Sequence, residues 1–308
     1  MARQLTFILI IFSIVSLLSG TSHAEQRTIE DKSVVVTFDI PLQNAAYEVL
    51  GLYPAIHAAL AKDLGWRSDF RPEIILVKDA TTFRSTSESN LVIAYAIPRE
   101  NLIVIDYTRM NAQPFTLGTT LKHELCHLEL HRHIASLPRW FDEGVCQWVT
   151  GGMAEIMNTG GRSIFIKSAL LNRLISFERL TETFPTDGED LILAYEESKS
   201  VIEYIKREFG DSAVRHILEH MSKGDDLQTA IRKSLSISQD ELEKRWRASI
   251  TTKTSLFSYV GDNLYEILFV LAALITFYGF LRVLKKKREY KDEEKENEEG
   301  DERNYRHD

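Results

Sequence analysis

Apolar positions along this chain fall into strand-like runs in the first third and helical spacing thereafter. Val34–Ile40, Glu73–Val77, Leu91–Ala96 and Leu102–Tyr107 are short runs rich in branched and aromatic residues, and they predict strands. The last two flank Ile97-Pro-Arg-Glu-Asn101, which predicts a hairpin. Between the first two, Asn44–Leu64 places Tyr47, Leu50, Ile56 and Leu60 at helical spacing, with Gly51 and Pro54 predicting a kink or two shorter pieces. From Thr116 onward the pattern is helical. Thr116–His133 has Thr116 as a candidate N-cap. A segment after Pro138 carries Trp140, Phe141, Val145, Trp148 and Val149. Ser163–Ile175, Ser176–Phe184, Glu189–Glu208, Ser212–Ser222, Leu227–Ser234 and Ser238–Ile250 complete a mostly α half, separated by Pro185, Gly188, Gly210 and Gly224.

The two ends follow other rules. Met1–Ala24 has a cationic start at Arg3, an apolar core over Leu5–Leu18 and a small-x-small site at Ser22-His23-Ala24, so it predicts a secretory signal peptide. Leu264–Leu284 is long enough to cross a bilayer, which takes about 20 residues. Glu266 falls near its end, beside the interfacial aromatics Tyr259 and Tyr265. Lys285-Lys286-Lys287-Arg288 follows at once and places the C-terminus in the cytoplasm. The expected organisation is a signal peptide (1–24), an exported domain (25–252), a linker (253–263), a transmembrane helix (264–284) and a charged tail (285–308), disordered from Glu289 onward.

Composition then bounds the exported part. The chain is 44% hydrophobic and 27% charged with formal net charge −8. From Glu289 onward ten acidic residues face four basic ones, so −6 belongs to the tail. The remainder is nearly neutral and carries no basic surplus for nucleic acid.

The chemistry concentrates in Leu121-Lys-His-Glu-Leu-Cys-His-Leu-Glu-Leu130 and Leu137-Pro-Arg-Trp-Phe-Asp-Glu-Gly144. The first contains H-E-x-x-H, with His123 and His127 on one helix face where two imidazoles can hold one zinc ion. Glu124 is placed to deprotonate a zinc-bound water. A catalytic zinc takes three protein ligands, and three residues compete for third place. His131 is eight residues from His123, about 12 Å along a helix, too far to share an ion. His133 has the spacing of H-E-x-x-H-x-x-G-x-x-H, but Leu130 stands where that turn needs glycine. Glu143, from the following helix, is preferred. A pair of ordinary helix-surface histidines is the alternative to any metal site.

HELCH followed by PRWFDEGVCQWV resembles the peptidase MA-like branch of the gluzincin metallopeptidases, whose pattern is H-E-x-x-H, a short loop and W-x-x-E-G. The resemblance continues through Ala194-Tyr-Glu-Glu-Ser198 and Phe209-Gly210 to the Trp246 region. It implies one Zn2+ on His123, His127 and Glu143, Glu124 as general base, and an α+β zincin-like fold. In that fold a small sheet lies over the active-site helix, and a mostly α-helical C-terminal part lies across the cleft. Tyr195 matches the family's A-Y-x-x-S segment and is the candidate oxyanion donor; the alternative is a tyrosine packed on a helix face. Many gluzincins carry an acidic residue four positions after the third ligand, where this chain has Gln147, whose amide oxygen could serve the same imidazole. Cys126 and Cys146 admit a disulfide or two buried thiols. Met153 and Met157 are read as packing residues.

The expected function is a membrane-anchored extracytoplasmic zinc metallopeptidase, an endopeptidase acting on peptides or envelope and membrane proteins and held to the bilayer through 264–284. A membrane-tethered binding module with structural zinc is the alternative.

Overall fold

A computed structural model describes residues 26–66, 69–84, 91–110, 115–152, 160–186, 188–253 and 263–304. The predicted signal peptide, Met153 and Met157 lie outside the described residues. The chain divides into two compact units, Met1–Trp246 and Arg247–Asp308.

The first unit begins with a five-stranded sheet in the order β1-β2-β3-β5-β4. Its strands are β1 (Gln26–Glu30), β2 (Val35–Asp39), β3 (Glu73–Val77), β4 (Ala94–Ile97) and β5 (Leu102–Asp106). β2, β3 and β5 run parallel, with Thr37 opposite Ile75 and Ile75 opposite Val104. β1 and β4 are antiparallel edges, with Thr28 opposite Thr37 and Tyr95 opposite Val104. Val36, Phe38, Ile74, Leu76, Ile103 and Ile105 are buried, as a sheet covered by helices requires. β1 is a strand that the apolar pattern does not announce, because its residues are almost all exposed. The turn preceding β2 holds it in place, with Asp31 Oδ1 accepting from Ser33 N and Val34 N. The predicted hairpin forms between β4 and β5, with Asn101 at φ 51° closing its turn.

Helix α1 (Gln43–Leu64) crosses from β2 to β3 and runs through Pro54 without a break, where two pieces or a kink were expected. Pro54 lies on the exposed face of the helix, away from the core. The buried Val49, Tyr53, Ile56 and Leu60 keep the helix whole. After α2 (Ala80–Arg84) and the hairpin come α3 (Leu117–His133) and α4 (Arg139–Thr150), then α5 (Gly161–Leu170), α6 (Phe177–Glu182), α7 (Gly188–Phe209), α8 (Ala213–Ser222), α9 (Leu227–Leu235) and α10 (Gln239–Lys253). α3 touches α1, β4 and α4, while α4 packs on α7. The helical half closes around an aromatic stack: Trp140 and Phe177 at 4.8 Å between centroids, Phe177 and Trp246 at 5.5 Å.

The second unit contains α11 (Leu264–Asn304). Its first 24 residues, Leu264–Lys287, are long and apolar enough to cross a membrane. The helix continues to Asn304, correcting the disordered tail expected from Glu289 onward. Glu, Lys and Arg, which dominate this stretch, are strong helix formers.

Candidate metal centre

α3 is capped by Thr116, whose Oγ1 accepts from Thr119 N at 3.2 Å. Every residue from His123 to Leu130 is buried. A helix covered on all sides holds its polar groups only where they have partners, so the buried imidazoles and carboxylates of this helix are its chemical content. α4 enters through Pro138, whose carbonyl accepts from Phe141 N and Asp142 N. It leaves through Gly151 at φ 81°, and between those ends it carries Asp142 and Glu143 into the interior.

Three atoms converge. His123 Nε2 and His127 Nε2 lie 3.2 Å apart. Glu143 Oε2 lies 3.6 Å from the first and 3.5 Å from the second. Four ligands placed tetrahedrally at the usual 2.0–2.1 Å from zinc are separated by about 3.3 Å, so the triangle already has the dimensions of one face of such a site. Glu143 Oε2 is buried without a hydrogen-bond partner among the described residues, aimed at the same point. Two imidazoles and a carboxylate suit zinc chemically as well as geometrically. His123, His127 and Glu143 could therefore hold a zinc ion, and Glu124, which follows His123 in the chain, is fully buried.

The surrounding bonds orient these groups. Tyr195 Oη donates to Glu143 Oε1 at 3.0 Å, and Arg139 Nε approaches the same oxygen at 3.6 Å. His127 Nδ1 bonds Asp142 Oδ1 at 2.8 Å, and His131 Nε2 bonds Asp142 Oδ2 at 2.8 Å. Burial works against the charge of His127, but the Asp142 carboxylate, and then that of Glu143, hold the imidazole well above its ordinary range. Burial likewise opposes ionisation of Asp142 and Glu143, and in both the His127 charge overcomes it and keeps the carboxyl below its usual value. Asp142 is thus a carboxylate, which only accepts, so the proton of His127 sits on Nδ1 and Nε2 can turn its lone pair toward the convergence point once the second proton leaves.

Of the three candidates for third place, the structure brings Glu143 to the motif histidines. His131 goes to Asp142, and His133 faces Glu129 at 3.9 Å and stacks on Trp66 at 4.5 Å. Gln147 Nε2 donates to the carbonyl of Tyr195 at 3.1 Å, tying α4 to α7. The imidazole support that the sequence placed at Gln147 is seen instead for His127 at Asp142, the residue before Glu143. Asp142 could have been found only by noting that a carboxylate inside an otherwise apolar segment needs a buried partner. Cys126 and Cys146 form a disulfide, Cα to Cα 5.5 Å, linking α3 to α4 beside the ligand atoms. Cys146 Sγ is 3.6 Å from His127 Nδ1, yet a bridged sulfur offers no thiolate to a metal.

A helix-borne histidine pair followed by a helix bearing W-x-x-E-G defines a gluzincin-type, peptidase MA-like protein. The model of the Peptidase MA superfamily matches residues 77–252, more than half of the chain, and the chain belongs to that superfamily. No curated protein sequence matches it. Among solved structures, an M1 zinc metallopeptidase from Deinococcus radiodurans aligns over 73% of this chain and 51% of its own at 16% identity, with TM-score 0.45. A point mutant of an M1 zinc metallopeptidase from the same organism gives TM-score 0.47 at 16% identity over 73% of this chain and 52% of the other. A mutant bound to a Tyr-Ser-Ala substrate gives 0.42 at 16% identity over 73% and 51%. This chain spans about half the length of those enzymes.

Proposed function

We propose that this chain is a membrane-anchored extracytoplasmic zinc metallopeptidase, with His123, His127 and Glu143 holding the ion. The observation that carries the proposal is the triangle of Nε2, Nε2 and Oε2 at 3.2, 3.5 and 3.6 Å, because three donors that close are stable only around a cation or a shared proton. Zinc at that point supplies Lewis-acid chemistry, lowering the pKa of water and polarising a carbonyl. Glu124 removes the proton from the attacking water and returns it to the departing amine. Tyr195 releases the O–H it gives Glu143 Oε1 in the resting site and turns it to the carbonyl oxygen as negative charge develops there. Asp142 keeps His127 in the tautomer that ligation needs.

The substrate assigned is an extended peptide cut at internal bonds. β4 ends the sheet and packs beside α3, and an edge strand pairs with a peptide through its backbone without requiring a terminus. Leu264–Lys287 serves as the anchor, the cations after it keep the tail in the cytoplasm, and 1–24 directs export. The envelope proteins near the bilayer are then the reachable substrates.

The test is Glu124→Gln in the full chain, purified in detergent. Retained zinc with cleavage of an unfolded protein reduced by about 100-fold or more supports the proposal. Retained zinc with undiminished cleavage overturns the mechanism. A wild-type chain that binds zinc but cleaves nothing favours the tethered binding module.

A further inference from the structure

His131 is used by neither the ligand set nor the proposed chemistry, yet its contact is as short as any in the site. Its Nε2 lies 2.8 Å from Asp142 Oδ2, matching the 2.8 Å between His127 Nδ1 and Asp142 Oδ1. One buried carboxylate is therefore held between two imidazoles, one on each oxygen. A carboxylate bonded through one oxygen swings about its terminal torsion, which is broad. Bonded through both, it has one orientation. The two histidines are one turn apart on α3, so a single helix face presents both rings to Asp142. Exposed ion pairs contribute little, but this acceptor is buried, with only 7% of its surface exposed.

We infer that His131 is a positioning residue for the metal centre: it fixes Asp142, which in turn fixes the His127 ring that would meet the ion. The inference rests on the zinc reading above. It also gives the i+8 histidine of His123-x3-His127-x3-His131 a role its distance from the ion does not preclude.

The experiment compares His131→Leu, which removes the donor, with His131→Gln, whose amide can still donate to Asp142. Zinc dissociation constants of the full chain in detergent are measured by chelator competition at one fixed pH, together with the visible spectrum of the Co2+-substituted protein. Loss of an outer partner of a ligating histidine lowers metal affinity about 10- to 100-fold. The expected result is a loss of about 10-fold in His131→Leu with an altered Co2+ band, and recovery of most of both in His131→Gln. The unfolding midpoint of the metal-free protein, the same in both variants, separates this from general destabilisation. Wild-type affinity in His131→Leu, or equal weakness in the two variants, overturns the inference while the zinc reading stands. A wild-type chain that takes up no zinc overturns both.

Discussion

Gly144 follows Glu143 directly and packs against α7. A Cβ built on it would lie 2.6 Å from the carbonyl oxygen of Ser198 and 2.9 Å from Ile202 Cγ1, where ordinary contact begins at 3.4 Å. The Ile202 atom can turn away, but the Ser198 oxygen is backbone within α7 and cannot. Gly144→Ala must therefore push the helices apart by about 0.8 Å, the difference between those two distances. Overpacking of this kind costs about 1–3 kcal/mol. The same substitution in an unobstructed helix interior would stabilise by up to about 1 kcal/mol, so the sign of the change is diagnostic. Gly51 in α1 is such a position, with nothing within 4 Å of its built Cβ. In thermal unfolding, Gly144→Ala should lower the midpoint by about 4–8 °C and Gly51→Ala should raise it by about 2–4 °C. Tyr195 lies one turn before Ser198, so the displacement falls on the 3.0 Å bond from Tyr195 to Glu143. Misplacement approaching 1 Å can reduce turnover about 100-fold, and peptide cleavage by Gly144→Ala should drop by that order. A Gly144→Ala protein with a raised midpoint and unchanged cleavage would refute the close-approach argument.

Three further outcomes follow from the site. Replacing both Cys126 and Cys146 by serine opens a link between residues 20 apart and should cost about 3 kcal/mol, seen as a drop of about 10 °C in the unfolding midpoint; an unchanged midpoint in non-reducing buffer would show that the bridge carries no stability. In the metal-free protein the raised pKa of His127 contributes stability that is complete below the ordinary value of 6.5 and is lost as pH climbs through the raised one, while the lowered pKa values of Asp142 and Glu143 contribute stability lost as pH falls through theirs. The metal-free chain should thus be most stable in the mildly acidic interval between, and zinc, which needs a neutral His127, should release a proton and bind more tightly as pH rises, by about tenfold per pH unit. Calorimetric titration in buffers of different ionisation enthalpy measures that proton, and heats independent of the buffer would contradict it.

Local spacing along the chain was enough for several features, because it is set by the backbone repeat within one element. The bounds of α3 and β3, the hairpin around Pro98, the shared face of His123 and His127, and the length of the apolar helix after Leu264 all follow from periods of two or 3.6 residues and from turn chemistry. Glu143 as partner of the histidines was legible through the W-x-x-E-G pattern. Tertiary packing decided the rest. Pro54 could not break α1, because the helix is held by its buried face and Pro54 lies on the exposed one. β1 exists through pairing and a turn, with almost no burial of its own to mark it. Gln147 bonds to the carbonyl of Tyr195, and Asp142 supports His127, since which imidazole a carboxylate reaches depends on how α4 lies against α3. The disulfide, the bond from Tyr195 to Glu143 and the requirement for glycine at 144 likewise depend on the separation of helices distant in sequence. That separation is fixed by many side chains packing at once, and no single stretch of the chain contains it.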